Sequence, residues 1–237
     1  MFSNVHIVLV NTSHPGNIGS TARAMKTMGF NKLLLVNPKQ FPSPKSDALA
    51  VGCIDVLKKA KVFSNLSDAV AGGNINIGLS ARTRKASIPI LSVDECVNHV
   101  LANKTLKYNI IFGNESSGLS NSDLLKCDYI VPIPTYKDYS SLNLSAAVQL
   151  ITYEFYKNSK THTSSSNKPF TLATAKEKNY FIDTLIILME ETKFISVKNS
   201  KSLTKKIHIL FNKTNLETDE VNMLLGMLNS IYKKLNK

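Results

Sequence analysis

Short apolar runs alternate with amphipathic segments along roughly the first 156 residues of the chain. The runs VHIVLV, LLLV, NINIGLS, YNIIFG and YIVPI predict strands, and several of them lack polar alternation, which is typical of strands covered by helices on both faces. Between them, segments at 17–29, 47–58, 93–103, 119–126 and 143–157 predict helices. The pattern therefore predicts an α/β domain with a mostly parallel sheet.

A polar stretch, KNSKTHTSSSNKP, interrupts this pattern and ends in proline. Its Ser, Thr, Asn and Lys residues offer no apolar surface to bury, which is typical of a linker. We therefore place an α/β domain at 1–157, a linker at 158–169 and a second domain at 170–237.

The second domain has helical spacing throughout. Apolar residues recur three and four positions apart, as on one face of a helix. Acidic residues precede the last of these stripes and lysines follow it, which suits the dipole of a helix. The three predicted faces contain Phe181, Leu185, Leu188 and Met189; Leu203, Ile207 and Leu210; and Val221, Leu224, Leu225, Leu228, Ile231, Tyr232 and Leu235.

The charge balance predicts a polyanionic partner. Lys and Arg number 29 against 17 Asp and Glu, giving a formal net charge of +12. The excess is densest in residues 157–213, which hold eleven lysines and four acidic residues. Such an excess attracts phosphates and favours a nucleic acid as the partner.

Composition also bounds the compartment. The three cysteines form no C-x-x-C pair, which argues against a disulfide framework or a zinc site. No apolar run is long enough to span a membrane, and the first residues lack the apolar core of a signal peptide. We therefore expect a cytoplasmic protein with no membrane partner and no metal.

The turn after the first predicted strand, HPGNIGSTAR, raises the question of nucleotide binding. It matches neither the dinucleotide fingerprint nor the phosphate-binding P-loop, because its glycines are wrongly spaced. The helix that follows would place Arg23 and Lys26 on a face away from its apolar residues. Taken alone, an arginine at such a position is more often a surface residue in an ion pair.

Three other stretches place small or polar residues where predicted strands end. FGNESSGL contains Glu115, DYSSLNLSAA contains Asn143, and GLSARTRK contains Arg82 and Arg84. Ligands of open α/β sheets bind at the carboxyl ends of strands. Each stretch also has a plain structural interpretation, as an ordinary strand–helix turn, a helix-packing surface or a solvated basic loop.

Together, three ordered motifs resemble the SPOUT methyltransferases, and within them the SpoU/TrmH branch of RNA 2′-O-ribose methyltransferases. The motifs are N-x-G-S-x-x-R-A, F-G-x-E-x-x-G-L and Y-S-S-L-N-L-S-x-A-V. The resemblance is strongest to the TrmJ group, which methylates the ribose at position 32 of the tRNA anticodon loop. LVNP, GLSARTR and the helical tail support it, so the resemblance covers nearly the whole chain.

The resemblance implies a trefoil knot at the end of the α/β domain, S-adenosylmethionine as methyl donor, tRNA as substrate and a homodimer with shared sites. It implies catalytic roles for Arg23, Asn17 and Glu115, and RNA contacts for Arg23, Lys26, Arg82 and Arg84. It also implies that the helical domain binds tRNA. The implied cofactor-binding residues are Leu79, Ser80, Ala81, Gly113, Ile133, Ser140, Ser141, Leu142 and Asn143.

Two matters stay open at this point. The arginine matching Arg23 is the family's proposed base, but a guanidinium keeps its proton in proteins and could instead stabilise the developing alkoxide. Other candidate functions are 2′-O-methylation of another tRNA position or of ribosomal RNA, a non-catalytic RNA-binding module, and a Rossmann-type nucleotide enzyme. The stretch Asn114-Glu115-Ser116-Ser117 also departs from some relatives, which carry arginines there.

Overall fold

Within the described part of the first domain, six strands form one sheet and all pair in parallel. A computed structural model describes residues 1–80, 88–159, 171–196 and 200–235. The strands lie in the order β3-β2-β1-β5-β4-β6, which confirms the predicted parallel sheet. Their bounds are Val5–Val10 for β1, Leu33–Val36 for β2, Lys61–Phe63 for β3, Ile75–Leu79 for β4, Tyr108–Phe112 for β5 and Tyr129–Val131 for β6.

The sheet is covered on both faces, which explains the apolar runs without polar alternation. In β1, Ile7 and Leu9 pack into one apolar cluster, while Val8 and Val10 pack into a second cluster on the other face. Alternate side chains of a strand point to opposite faces, so a strand buried on both sides needs apolar residues at every position. The larger cluster also contains the buried faces of the helices Pro15–Thr27 (α1) and Leu144–Ser159 (α7).

The remaining helices of this domain are short except for α5. The segment predicted as one helix at 47–58 is two helices, α2 and α3, because Val51 and Gly52 adopt positive φ values of 23° and 72°. Helix α7 continues to Ser159, and residues 160–170, which contain most of the predicted linker, lie outside the described residues. The bounds are Pro44–Ala50 for α2, Ile54–Lys58 for α3, Leu66–Val70 for α4, Val93–Ala102 for α5 and Asn121–Leu124 for α6.

The second domain is helical, as predicted. Helices α8 (Ala175–Glu191), α9 (Ser200–Asn212) and α10 (Thr218–Leu235) pack around their own apolar cluster. The face predicted for α9 is partly wrong, because Leu210 is 57% exposed while Ile207 and Ile209 are buried. In α10 the predicted stripe is buried at Val221 and Leu228, but its last turns are exposed. These exposed residues are Ile231, Tyr232 and Leu235.

The state of the cysteines and the length and polarity of the helices bear on two further expectations. Cys53, Cys96 and Cys127 are buried and free. Among the described residues, every helix is too short or too polar to cross a bilayer.

Candidate functional site

A cavity opens at the carboxyl ends of β4, β5 and β6, where three loops meet. Of the predicted cofactor-binding residues, Ala81 lies outside the described residues and Asn143 does not line the cavity. All of the others line it, namely Leu79, Ser80, Gly113, Ile133, Ser140, Ser141 and Leu142.

Gly113, which ends the strand β5, has no room for a side chain. A Cβ atom there would collide with the backbone of Gly118 and Leu119, which folds back over it. Gly118 makes that return possible with a φ of 67°, in the left-handed region that favours glycine. The two glycines of the F-G-x-E-x-x-G-L motif therefore shape the loop that forms one wall of the cavity.

Glu115 projects from this loop into a cradle of neutral donors at the start of α1. Its carboxylate accepts hydrogen bonds from the Ser13 amide (3.0 Å) and hydroxyl (2.8 Å), the His14 amide (3.2 Å) and Asn17 Nδ2 (2.9 Å). Helix N-termini carry free N–H groups and favour negative charge. The sequence motifs predicted roles for Glu115 and Asn17 but not for Ser13. The signal for Ser13 is its place just ahead of a helix with Pro15 in its first turn.

This cradle keeps Glu115 ionised. Burial alone would raise the pKa of its carboxyl group. The hydrogen bonds from Ser13 and Asn17 outweigh that effect and lower the pKa from 4.5 to about 2. Glu115 is therefore an acceptor only, so the NH₂ group of Asn17 must face it.

A directed chain of hydrogen bonds continues from there to the third motif. With its NH₂ group on Glu115, Asn17 presents its oxygen to Asn143 Nδ2 at 3.0 Å. Asn143 Oδ1 in turn accepts from the Ser145 amide (2.9 Å) and hydroxyl (2.7 Å), as a helix N-cap does. The chain joins all three sequence motifs and fixes the start of α7 against α1. The hydrogen bond from Asn143 to Asn17 therefore holds two helices together beside the cavity. The role of Asn143 in cofactor binding stays a prediction.

Arg23 lies apart from this cavity. Its side chain is exposed on α1 and makes no hydrogen bond or ion pair with any residue that the structure describes. Arg23 follows Asn17 by six positions, which correspond to about 9 Å along the helix and a rotation of about 240°, so the two side chains leave different faces. The Arg23 side chain is therefore not among the residues that line the cavity of its own chain, and its catalytic role stays a prediction.

The other predicted RNA contacts are placed less fully. Lys26 is exposed and forms an ion pair with Asp55, with 2.6 Å between Nζ and Oδ1. Exposed ion pairs are weak, so Lys26 could exchange Asp55 for a phosphate. Arg82 and Arg84 lie outside the described residues. The RNA-binding roles of these residues stay predictions.

The chemical character of the cavity suits a ligand with both apolar and polar parts. Leu79, Ile133 and Leu142 provide apolar surface. Hydroxyl groups of Ser80, Ser140 and Ser141 and the backbone beside Gly113 provide hydrogen-bonding groups, and such a mixture is typical of small-molecule sites. These residues fit the adenosine and amino-acid parts of S-adenosylmethionine. The described residues contain no cluster of His, Cys, Asp and Glu that could hold a metal ion.

The chain matches two protein-family models, in the order of its two domains. Residues 4–153 match the SpoU rRNA Methylase family, and residues 180–237 match the C-terminal domain of the tRNA methyltransferase TrmJ.

Individual relatives are similar over nearly their whole length. The tRNA (cytidine/uridine-2′-O-)-methyltransferase TrmJ of Sodalis glossinidius is 40% identical over 98% of this chain and 92% of its own. The protein of the same name from Photorhabdus laumondii is 38% identical over 100% of both chains. Among solved structures, TrmJ from Z. mobilis ZM4 superposes with a TM-score of 0.86, at 27% identity, over 96% of this chain and 98% of its own.

Proposed function

The chain belongs to the SpoU methylase family, and from this membership we propose that it transfers a methyl group from S-adenosylmethionine to the 2′-hydroxyl of a tRNA ribose. One structural observation carries the proposal from the family to this chain. Glu115, Asn17 and Asn143, one residue from each family motif, form a continuous hydrogen-bonded chain beside a cavity that fits the methyl donor. A non-catalytic RNA-binding module would have no need for this ordered arrangement.

In the proposed reaction the ribose 2′-oxygen attacks the methyl carbon, the carbon–sulfur bond breaks and the hydroxyl proton leaves. S-adenosylmethionine, when bound, supplies the electrophilic methyl group on its positively charged sulfur. The residues of this chain align the two reactants, which removes much of the entropic barrier. Arg23 stabilises the developing negative charge on the 2′-oxygen or holds the adjacent phosphate, and a phosphate oxygen or water accepts the proton.

We further propose that the active unit is a homodimer with shared sites. Because Arg23 lies on a different face of α1 from the residues that approach the cavity, it would act on the methyl donor bound by the partner chain. Exposed apolar residues beside these elements, Leu49 and Val51 near α2 and Leu150 and Tyr153 on α7, supply surface for such an interface. A twofold dimer would place two equivalent sites across it. We also propose that the end of the α/β domain forms the trefoil knot of the family.

The helical domain is proposed to hold the body of the tRNA. Helix α9 exposes Lys201, Lys205 and Lys206 and contains no acidic residue. Lysines of this kind bind phosphates without regard to sequence, so they would position the tRNA and leave the choice of nucleotide to the cavity.

Position 32 of the anticodon loop is the proposed target, as the resemblance to the TrmJ group implies, and relatives that match nearly the whole chain are named tRNA (cytidine/uridine-2′-O-)-methyltransferases. Another tRNA position or ribosomal RNA is the second candidate, since the SpoU family description names rRNA. A tRNA substrate would place the enzyme in the cytoplasm.

The direct test is to incubate the protein with S-adenosylmethionine and unmodified tRNA and to map 2′-O-methyl groups by mass spectrometry of nuclease digests. We expect one methylated ribose, in the anticodon loop at position 32. Methylation at another nucleotide, or of ribosomal RNA only, would support the second candidate. Absence of any transfer to either RNA would overturn the enzymatic proposal.

Mixing two impaired variants tests the shared site, with S-adenosylmethionine kept below the concentration that saturates Gly113→Ala protein. Arg23→Ala protein lacks the RNA-facing arginine, and Gly113→Ala protein lacks a normal cavity. In hybrid dimers one of the two sites would combine an intact Arg23 with an intact cavity, so part of the activity should return. Failure to regain turnover despite demonstrated subunit exchange would contradict the shared site.

A further inference from the structure

A buried ion pair joins the two domains. Lys178 on α8 and Asp128 at the start of β6 are only 6% and 3% exposed, with 2.6 Å between Nζ and Oδ1. The other carboxylate oxygen of Asp128 accepts a hydrogen bond from the backbone N–H of Asn76 at 2.7 Å. Burial of two charges is tolerated when they are paired and hydrogen-bonded, and here each carboxylate oxygen of Asp128 has its own donor.

Hydrogen bonds between the domains surround this pair. The Ala175 amide donates to the Gly73 carbonyl at 2.8 Å, and Asn74 Nδ2 donates to the Leu172 carbonyl at 2.6 Å. At the far end of α9, Asn212 Nδ2 donates to the Leu125 carbonyl at 2.7 Å. The start of α8 and the end of α9 are therefore both attached to the first domain, which restricts rotation about either contact.

A polar network extends from the ion pair into the sheet. Asn76 Oδ1 accepts from Asn109 Nδ2 at 2.8 Å, and Asn109 Oδ1 lies 3.0 Å from His6 Nδ1. Asn109 is fully buried and Asn76 nearly so, at 3% exposure. The carboxylate that binds Lys178 is therefore connected to a hydrogen-bond network that spans β1, β5 and β4. The sheet, and not a surface loop, fixes the position of this carboxylate.

All of these contacts lie at the amino-terminal edge of the sheet, opposite the cavity. The five residues of β4 separate the two edges by about 13 Å. Within the described part of the chain, the lining of the cavity contains no residue of the helical domain. Under the proposed function, the helical domain of the same chain would therefore influence methyl transfer through the position of the tRNA and not through contact with the methyl donor.

We propose that Asp128 and Lys178 are positioning residues that fix the helical domain in one orientation on the sheet, so that the lysines of α9 and the cavity engage the same tRNA as a rigid unit. This inference rests on the proposed function. Apolar contact alone allows two surfaces to slide, whereas a buried lysine has one carboxylate oxygen to meet and specifies a single orientation. A rigid arrangement spares the tRNA complex the entropy of ordering two loosely joined domains.

The central variant is Lys178→Met, which keeps the length of the side chain and removes its charge. Asp128 then lacks its counterion, and its carboxylate can regain hydration only if the helical domain moves away. We expect a larger radius of gyration in small-angle X-ray scattering and a KM for tRNA raised at least about tenfold. The kcat at saturating tRNA and the dissociation constant for S-adenosylmethionine should change less than about twofold, because the cavity is untouched.

Two further proteins sharpen the test. Lys176→Met makes the same change two residues away on the exposed side of α8, and it should leave both the scattering and the KM for tRNA unchanged. Asp128→Asn combined with Lys178→Met removes both buried charges and keeps an acceptor for the Asn76 amide. This double variant should return to the compact form, with a KM for tRNA within about threefold of the original.

The inference would be overturned if Lys178→Met stayed compact with an unchanged KM for tRNA, or if it lowered kcat and the affinity for S-adenosylmethionine together. If Lys178→Met does not fold, Asn212→Ala loosens the same attachment without leaving a buried charge, and an unchanged KM for tRNA in that variant overturns the inference. The scattering result is independent of the substrate. A protein that expands as expected but never methylates tRNA would refute the proposed function and leave the docking intact.

Discussion

The two edges of the sheet each hold a carboxylate, and they hold it in opposite ways. At the carboxyl edge, Glu115 stays partly exposed and accepts hydrogen bonds only from neutral groups of Ser13, His14 and Asn17. At the amino edge, Asp128 is buried and its charge is matched by Lys178. The first arrangement orders a loop beside an open cavity, and the second closes an interface between domains.

This difference separates the part of the molecule that binds ligands from the part that holds it together. Around Glu115 the donors are supplied by one loop, a helix start and the side chain of Asn17, all near solvent. Loops at a cavity can adjust to a ligand, while the rigid elements below them keep their positions. Around Asp128 every partner lies on an element that is buried on at least one side. We therefore expect substitutions at the carboxyl edge to change function first and those at the amino edge to change stability first.

The largest expected effect lies at the amino edge. Asp128→Ala leaves Lys178 buried without a counterion and the Asn76 amide without its acceptor, so it should lower the free energy of unfolding by about 3 kcal/mol. Urea unfolding measures this, and calorimetric titration should still show nearly unchanged affinity of the folded protein for S-adenosylmethionine. A loss below about 1 kcal/mol would show that the interface does not depend on the pair.

Arg23→Ala should have the largest effect on the reaction itself. Removing a group that stabilises transition-state charge lowers kcat by at least about a hundredfold. Affinity for S-adenosylmethionine should be unchanged in calorimetric titration, because Arg23 does not line the cavity. Lys58→Ala, an exposed cation on α3, serves as the control and should leave turnover unchanged. A parallel loss of cofactor affinity would contradict the placement of Arg23 towards the RNA.

Gly113→Ala should weaken binding of S-adenosylmethionine at least about tenfold, because the new Cβ atom forces the Gly118–Leu119 backbone away from the cavity wall. Gly72→Ala is the matched control, since a Cβ atom there meets nothing within 4 Å. Calorimetric titration compares the two proteins. Equal affinities would show that this wall does not contact the methyl donor.

The sheet was largely predictable from the sequence because five of its strands are buried runs of apolar residues. The exception is β3, whose residues Lys61 and Val62 are exposed, so it carries no burial pattern. The faces of α9 and α10 were predicted less well. Their apolar residues exceed what the small domain can cover, so spacing alone could not tell Ile209, which is buried, from Leu210, which is not.

The resemblance grouped cofactor-binding candidates from three distant loops, and those that the structure describes line one cavity, apart from Asn143. That these residues bind the methyl donor stays a prediction. The hydrogen bond from Asn143 to Asn17 was not predictable, because it depends on how α1 and α7 meet. The pair of Asp128 and Lys178 is harder still. The two residues are 50 positions apart, and nothing local to either marks it as buried.

The smallest expected effect is that of the Glu115 charge on stability, and it depends on pH. The pKa of this carboxyl group is lowered from 4.5 to about 2 in the folded protein, so folding favours the ionised form. The resulting stabilisation is present above about pH 4.5 and is lost as the pH falls towards about 2. Because Glu115 is partly exposed, solvent screens the interaction, and we expect Glu115→Gln to cost only about 1 kcal/mol near pH 7.

Urea unfolding of the original protein and of Glu115→Gln, repeated from about pH 7 down to about pH 3, measures this dependence. The difference in unfolding free energy should be constant at high pH and shrink below about 4.5, because Glu115 then becomes protonated in the unfolded chain and must release that proton on folding. Glu190→Gln, on the exposed side of α8, should change the free energy by less than about 0.5 kcal/mol at neutral pH. If the Glu115→Gln difference stayed constant down to about pH 3, the cradle would act through shape and not through the charge of Glu115, and the contrast between the two carboxylates would rest on burial alone.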